Sequence, residues 1–188
     1  LAALALGAHF VPVDPSHPQD RQAFVVEDSM ATVVVVDGAM TDWAESNATA
    51  VSVPMLFRAG AALRVSVSRL DAPVALAYAM YTSGSTGHPK GVLVHRAGLA
   101  NRLSWNDTLM EIESVSTERI MHNTPPTFDI AVWEMVYGLM HGATTVVLPA
   151  GSEKDPEAVI DTVDRNRVST VHFVPSLLGM VMASDRAQ

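Results

Sequence analysis

The chain has 188 residues, 48% of them apolar, enough for one domain with a real core. Its formal charge of −8 argues against broad nucleic-acid binding and against an anionic-membrane surface, both of which need a basic face. Cysteine is absent, which excludes disulfides and thiolate metal sites, and no apolar run approaches the roughly 20 residues that cross a bilayer.

In chain order, LAALALGAHF is short and apolar but follows no basic segment, so it does not read as a signal peptide. AHFVPVD (Ala8–Asp14) reads as a strand ending at a proline turn. Pro18 then opens a short helix whose turns place Phe24, Val25 and Asp28. ATVVVVD (Ala31–Asp37) is β-branched and reads as a buried strand. Met40 to Ser52 is polar, shows no period and reads as loop.

VALAYAMY (Val74–Tyr81) predicts a strand entering a glycine loop, and GVLVH (Gly91–His95) predicts one leaving it. A helix is expected over Ala97–Met110, a strand near Arg119–Asn123, and a helix over Asp129–Met140 that Gly142 ends. ATTVVLP (Ala143–Pro149) reads as a strand, Asp155–Arg165 as a helix with Pro156 in its first turn, and STVHFVP (Ser169–Pro175) as a strand before a last helix from Ser176. Alternation of helix and strand through the second half predicts an α/β fold of layered, mostly parallel sheets flanked by helices. Both ends are expected to cut through structure, so residues 1–188 read as one partial domain.

The loop between the two middle strands is YTSGSTGHPKG (Tyr81–Gly91). It holds three glycines, four Ser/Thr hydroxyls, and Lys90, one of only two lysines. Gly84 and Gly87 permit φ > 0 and close approach to a ligand, and successive N–H groups in such a turn form an anion nest. Thr82, Ser83, Ser85 and Thr86 add donors, and Lys90 adds a point charge suited to phosphate. These parts converge on a polyphosphate. The order G-S-T-G-H-P-K-G is neither a Walker A loop nor a nucleophile elbow nor a dinucleotide fingerprint.

YTSGSTGHPKGVLVHRAGLAN resembles the phosphate-loop signature of the adenylate-forming, AMP-binding superfamily. Within that superfamily it is most similar to the adenylation domain of nonribosomal peptide synthetases. GAHFVPVDPSHPQDRQAFVVEDS (Gly7–Ser29), FDIAVWE (Phe128–Glu134) and VSTVHFVPSLL (Val168–Leu178) resemble further blocks of that family in the same order. A helix starting at Asp129 puts Asp129 and Trp133 on one face, with Ile130 adjoining it. The ammonium group of a desolvated amino acid needs an anionic partner, and the resemblance assigns that contact to Asp129. It likewise places Ile130, Trp133 and His172 around the side chain. That combination is similar to pockets for serine, whose hydroxyl a histidine can hydrogen-bond.

The resemblance implies attack of an amino-acid carboxylate on the α-phosphorus of ATP, release of pyrophosphate, and transfer of the acyl group to the phosphopantetheine of a peptidyl carrier domain. Lys90 and Thr86 would act in catalysis, and Thr82, Ser83, Gly84, Ser85, Thr86, Gly87 and Lys90 would hold the phosphates. Mg²⁺ is implied, with ligands left unknown. A cytoplasmic synthetase of secondary metabolism, with other synthetase domains as partners, is expected. The family's N-x-Y-G-P-T-E block, T-G-D stretch and catalytic-lysine domain are not found in these residues, so the chain alone is expected to be inactive. The competing readings are an acyl- or aryl-CoA ligase, in which Asp129 would lack an ammonium partner, and a non-catalytic nucleotide-binding or interaction module. His88 and the acidic face of Asp155, Glu157 and Asp161 are read as solvated. His95 and His122 are read as packing or turn residues, and Glu134 as a structural hydrogen-bonding group.

Overall fold

The computed structural model describes residues 1–37, 48–60, 74–84, 88–109 and 117–185. They form two compact units, Leu1–Leu99 and Ala100–Gln188.

The first unit begins with a single helical turn, α1 (Ala2–Ala5). Arg96 ties that turn down by donating to the carbonyls of Leu4 at 2.8 Å and Ala8 at 3.2 Å. The segment expected as a strand over Ala8–Asp14 is one parallel bridge, at Phe10. Phe10 N donates to Ala77 O at 3.3 Å and its carbonyl accepts from Ala79 N at 3.0 Å. The next N–H of a parallel ladder would come from residue 12, which is proline and has none. The ladder therefore stops after one step.

Helix α2 (Gln19–Asp28) starts where Pro18 predicts and buries Gln22, Val25 and Val26. The Gln22 amide donates to His17 O at 2.6 Å, which holds the turn before the helix. Strand β1 (Val33–Val36) pairs in parallel with β2 (Thr49–Ser52), in register Val33↔Thr49. Two expectations are corrected here. β1 is not buried throughout: Val33 and Val35 are more than half exposed, because the strand alternates sides and one side faces solvent. Thr49–Ser52 is not loop, since backbone pairing with β1 holds it despite its lack of an apolar period. A helix that the pattern did not signal, α3 (Val53–Gly60), follows directly. The remaining 40–47 part of the expected loop lies outside the described residues.

Strands β3 (Leu76–Thr82) and β4 (Lys90–His95) form an antiparallel hairpin around the glycine loop. β3 is the core strand of this unit, with Ala77, Tyr78, Ala79 and Met80 buried. Helix α4 (Arg96–Leu109) follows β4.

In the second unit β5 (Arg119–His122) pairs in parallel with β6 (Thr144–Val147), and α5 (Asp129–Met140) forms the crossover between them. α5 packs closely on β6 because Gly138 has no side chain. A Cβ there would meet Thr145 Oγ1 at 3.0 Å. Gly142 ends the crossover at φ +72°, a conformation that favours glycine. Helix α6 (Pro156–Asn166) carries a proline in its first turn, and Asp155 caps it. Asp155 Oδ1 accepts from Glu157 N at 3.0 Å and Ala158 N at 3.3 Å, so this residue does more than solvate a face.

Ser169–Pro175 pairs only at Thr170, bridged in parallel to Ile120, before α7 (Pro175–Met182). The unit's core is Met121, Leu148, Val159 and Leu177, with Val163, Val168, Val171, Phe173 and Val181 packed against it. Helices with small, mostly parallel sheets thus make up the expected α/β class, the β3–β4 hairpin being the antiparallel member. Among the described residues no helix is long and apolar enough to cross a membrane.

Candidate functional site

The glycine loop springs from a well-paired stem. Tyr81 faces Gly91 and Thr82 faces Lys90 across the hairpin. Thr82, Ser83 and Lys90 are exposed, with Gly84 half-buried beside them. The reason for glycine at position 84 differs from the expectation. Its φ is not positive. A Cβ there would lie 2.1 Å from the backbone oxygen of His88 and 3.3 Å from both Cγ and Cε of Lys90. Glycine is therefore needed so that the loop backbone can fold against itself with the Lys90 stem laid across it. Ser85, Thr86 and Gly87 lie outside the described residues.

The stem is braced by α2, a contact that the loop motif by itself does not signal. Tyr81 OH donates to Asp28 Oδ2 at 2.7 Å. Phe24, one turn earlier on α2, meets the Tyr81 ring edge-on at 6.3 Å and the His88 ring at 6.4 Å. His88 is exposed, as expected, yet it packs against this aromatic pair. Tyr81 also crosses Gly91, where a Cβ would meet its ring at 3.1 Å. Burial, with the hydrogen bond to Asp28, pushes the Tyr81 hydroxyl up to about 12. The i, i+4 spacing of Phe24 and Asp28 is the signal that could have pointed to a shared target.

In the second unit a turn closed by Phe128 N donating to Pro125 O at 3.0 Å leads into α5. Phe128 occupies the N-cap position and makes no side-chain cap, so Asp129 is not the cap. Its exposed carboxylate sits in the helix's first turn, where the helix dipole favours negative charge. Ile130 is half-buried, and Trp133, one turn on, is buried.

Trp133 stands between two aromatic neighbours. His172 meets it edge-on at 6.5 Å, and Tyr137 stacks on it at 5.7 Å. Tyr137 is anchored in turn, its hydroxyl donating to Asp107 Oδ1 at 2.8 Å. Trp133 and His172 are thus brought together, with Asp129 and Ile130 on the preceding turn of the same helix.

Glu134 does far more than its expected structural hydrogen bond. It is fully buried. Oε2 accepts from the backbone N–H groups of Asn123 at 3.1 Å and Thr124 at 3.0 Å, and lies 2.9 Å from His122 Nδ1. Oε1 accepts from Thr124 Oγ1 at 2.6 Å. The carboxylate thereby shapes the chain leaving β5. His95 also fits its expected turn role, with Nδ1 2.6 Å from Val74 O. Among the described residues no group of three or more His, Asp or Glu side chains could hold a metal ion.

A sequence profile of the AMP-binding enzyme family matches residues 1–188. The chain is 36% identical over 181 residues to vanchrobactin synthetase VabF of Vibrio anguillarum, covering 96% of this chain and 6% of that protein. It is 35% identical over 175 residues to zwittermicin A synthase ZmaJ of Bacillus cereus, covering 93% of this chain and 33% of ZmaJ. The nonribosomal peptide synthetase FmoA3 is a structural match. Its AMPPNP-bound form gives a TM-score of 0.85 at 26% identity, over 99% of this chain and 19% of that one. Its form bound to α-methyl-L-serine-AMP gives 0.80 at 26%, over 98% and 20%. The chain thus spans a third or less of the length of each.

Proposed function

The chain belongs to the AMP-binding enzyme family, and from that premise we propose that it is part of the adenylation domain of a longer nonribosomal peptide synthetase, where it serves ATP-dependent activation of an amino acid. The carboxylate oxygen of the amino acid attacks the α-phosphorus of ATP. The bond from that phosphorus to the bridging oxygen breaks, pyrophosphate leaves, and an aminoacyl adenylate forms. The acyl group then passes to the phosphopantetheine thiol of a carrier domain, in a cytoplasmic assembly.

Charge accumulates on phosphate oxygens during such a displacement, so catalysis consists mainly of positioning and electrostatic stabilisation. Thr82, Ser83, Gly84, Ser85, Thr86, Gly87 and Lys90 contact the β- and γ-phosphates. Lys90 and Thr86 offset the charge on departing pyrophosphate. Mg²⁺, which neutralises phosphate charge when bound, has no ligand assigned in this chain. Asp129 pairs with the α-ammonium group, and Ile130, Trp133 and His172 contact the side chain.

The observation that carries this reading is the exposed Asp129 carboxylate one helical turn before buried Trp133, which His172 touches edge-on. A charge at the rim and an aromatic wall inside suit a zwitterion better than an apolar acid. Serine is the substrate favoured by the His172 and Trp133 pair, and FmoA3, 26% identical, is bound to α-methyl-L-serine-AMP in one structure.

Amino-acid-dependent exchange of pyrophosphate into ATP by the parent synthetase tests the proposal. Serine should support the exchange. Lys90→Ala should lower kcat on the order of 100-fold, as loss of a phosphate clamp does. Asp129→Ala should raise the amino-acid KM and leave the ATP KM unchanged. Undiminished exchange in both variants would remove the reading. Activation of an acid lacking an amino group in preference to any amino acid would favour a CoA ligase instead.

A further inference from the structure

We propose that Asn123 is a specificity-determining residue, its Oδ1 accepting a hydrogen bond from a hydroxyl on the substrate side chain; this rests on the amino-acid-activation reading above. At the end of β5 the parallel ladder is interrupted. Met121 N donates to Thr170 O at 2.9 Å, as parallel pairing requires. The next N–H that this strand would give the ladder is that of Asn123, to His172 O. Glu134 takes that N–H instead, at 3.1 Å. The Asn123 side chain replaces the rung, with Nδ2 donating to His172 O at 3.2 Å.

This substitution fixes the amide. Only its NH₂ group can face a carbonyl oxygen, so Oδ1 must point away from His172 O. Asn123 is 7% exposed, and its Oδ1 has no hydrogen-bond partner among the described residues. Of the five further buried side-chain atoms in that condition among the described residues, two belong to residues that adjoin it here, Nε1 of Trp133, a residue 6% exposed, and Nδ1 of His172. His172 touches both of the other residues, by its ring to Trp133 and by its carbonyl to Asn123. Buried polar atoms in native proteins are almost always paired, and one group bound among these three linked residues would supply what they lack.

The chemistry of the three atoms narrows that partner. Oδ1 only accepts and the indole N–H only donates, while His172 Nδ1 does either according to its tautomer. A hydroxyl is the smallest group that donates to one and accepts from another. An apolar side chain leaves all three unpaired, and a carboxylate is repelled by Oδ1. A site built to hydrogen-bond a hydroxyl rejects the analogue lacking it far better than an apolar pocket rejects a smaller one.

The experiment compares kcat/KM for pyrophosphate exchange by the parent synthetase with serine, alanine, β-fluoroalanine and asparagine. Serine should exceed alanine by about 100-fold or more. β-Fluoroalanine, close to serine in size but unable to donate, should fall with alanine. Asn123→Leu should lower serine about tenfold or more and leave alanine within about threefold. A serine-to-alanine ratio unchanged in Asn123→Leu would overturn the proposal. If that variant loses exchange with alanine as well, the wild-type comparison decides alone, and β-fluoroalanine matching serine overturns the proposal. Preference for asparagine or an apolar amino acid also overturns it, and leaves amino-acid activation standing. Exchange with no amino acid at all removes both readings.

Discussion

In the β3–β4 hairpin the polar groups stand in solvent, Thr82, Ser83 and Lys90 all exposed, and only the stem below them is braced. Around α5 the arrangement is reversed. Glu134 and Trp133 are buried, and the carboxylate acts on the chain around it. Under the function proposed above, the difference matches what each region would bind. Phosphate oxygens are strong acceptors that backbone N–H groups and exposed donors can meet as they arrive, so shape is set by backbone close approach. A neutral side chain offers one weak handle, so the groups that recognise it must be held in place beforehand, inside a shell that excludes water.

The largest expected effect bears on the buried side of this contrast. Glu134→Ala strands two backbone N–H groups and the Thr124 hydroxyl, and should destabilise the protein by about 3 kcal/mol or more, read by urea unfolding. A loss under about 1 kcal/mol would mean that water replaces the carboxylate and that the second region is no more preorganised than the first.

Gly84→Ala probes the exposed side. Its Cβ would collide with His88 O, so the loop must shift. Exchange by the parent synthetase should fall about tenfold or more, with the ATP KM raised and the amino-acid KM unchanged. Equal effects on both constants would break the division between the two regions.

Tyr81→Phe sharpens the account of the brace, and its effect should be about 1 kcal/mol at neutral pH. The Tyr81 hydroxyl is raised from its ordinary value of 10.0 to about 12. A folded value above the unfolded one means that the neutral form stabilises the fold. That stability is complete below about pH 10 and is lost as pH rises through about 12. Tyr137, raised to about 12 by burial and by its bond to Asp107, behaves alike. Urea midpoints at pH 8 and pH 11 should therefore differ less in Tyr81→Phe than in wild type, and less again when Tyr137→Phe is added. The smallest effect is expected for Asp155→Ala, which removes the α6 cap at a cost of roughly 0.5–1 kcal/mol, measurable as a lowered Tm.

Elements whose signals are local were legible in the amino acids. The helix from Gln19 follows from Pro18, that from Pro156 from Asp155 and Pro156, and the end of α5 from Gly142. The glycine-loop hairpin and the Asp129–Trp133 helix face were equally readable, because spacing on a strand or helix is set by the backbone's own period. The strand β2 was not. Thr49–Ser52 carries no pattern of its own and becomes a strand through pairing with β1. The reverse holds for Ala8–Asp14, where a strand-like pattern meets a proline at the position whose N–H the ladder needs.

By itself, then, the sequence determined the α/β class, the family, the hairpin around the glycine loop and the helix from Asp129. Each of these rests on neighbours along the chain. Only the tertiary structure decided that Gly84 is required by a crossing backbone, that Asp28 and Tyr81 join α2 to the hairpin, and that Glu134 takes the N–H of Asn123 and frees that side chain for His172. Those contacts join residues brought together by the fold, some of them far apart in sequence. A hydrogen bond depends on distance and direction in space, which no spacing along a single element specifies.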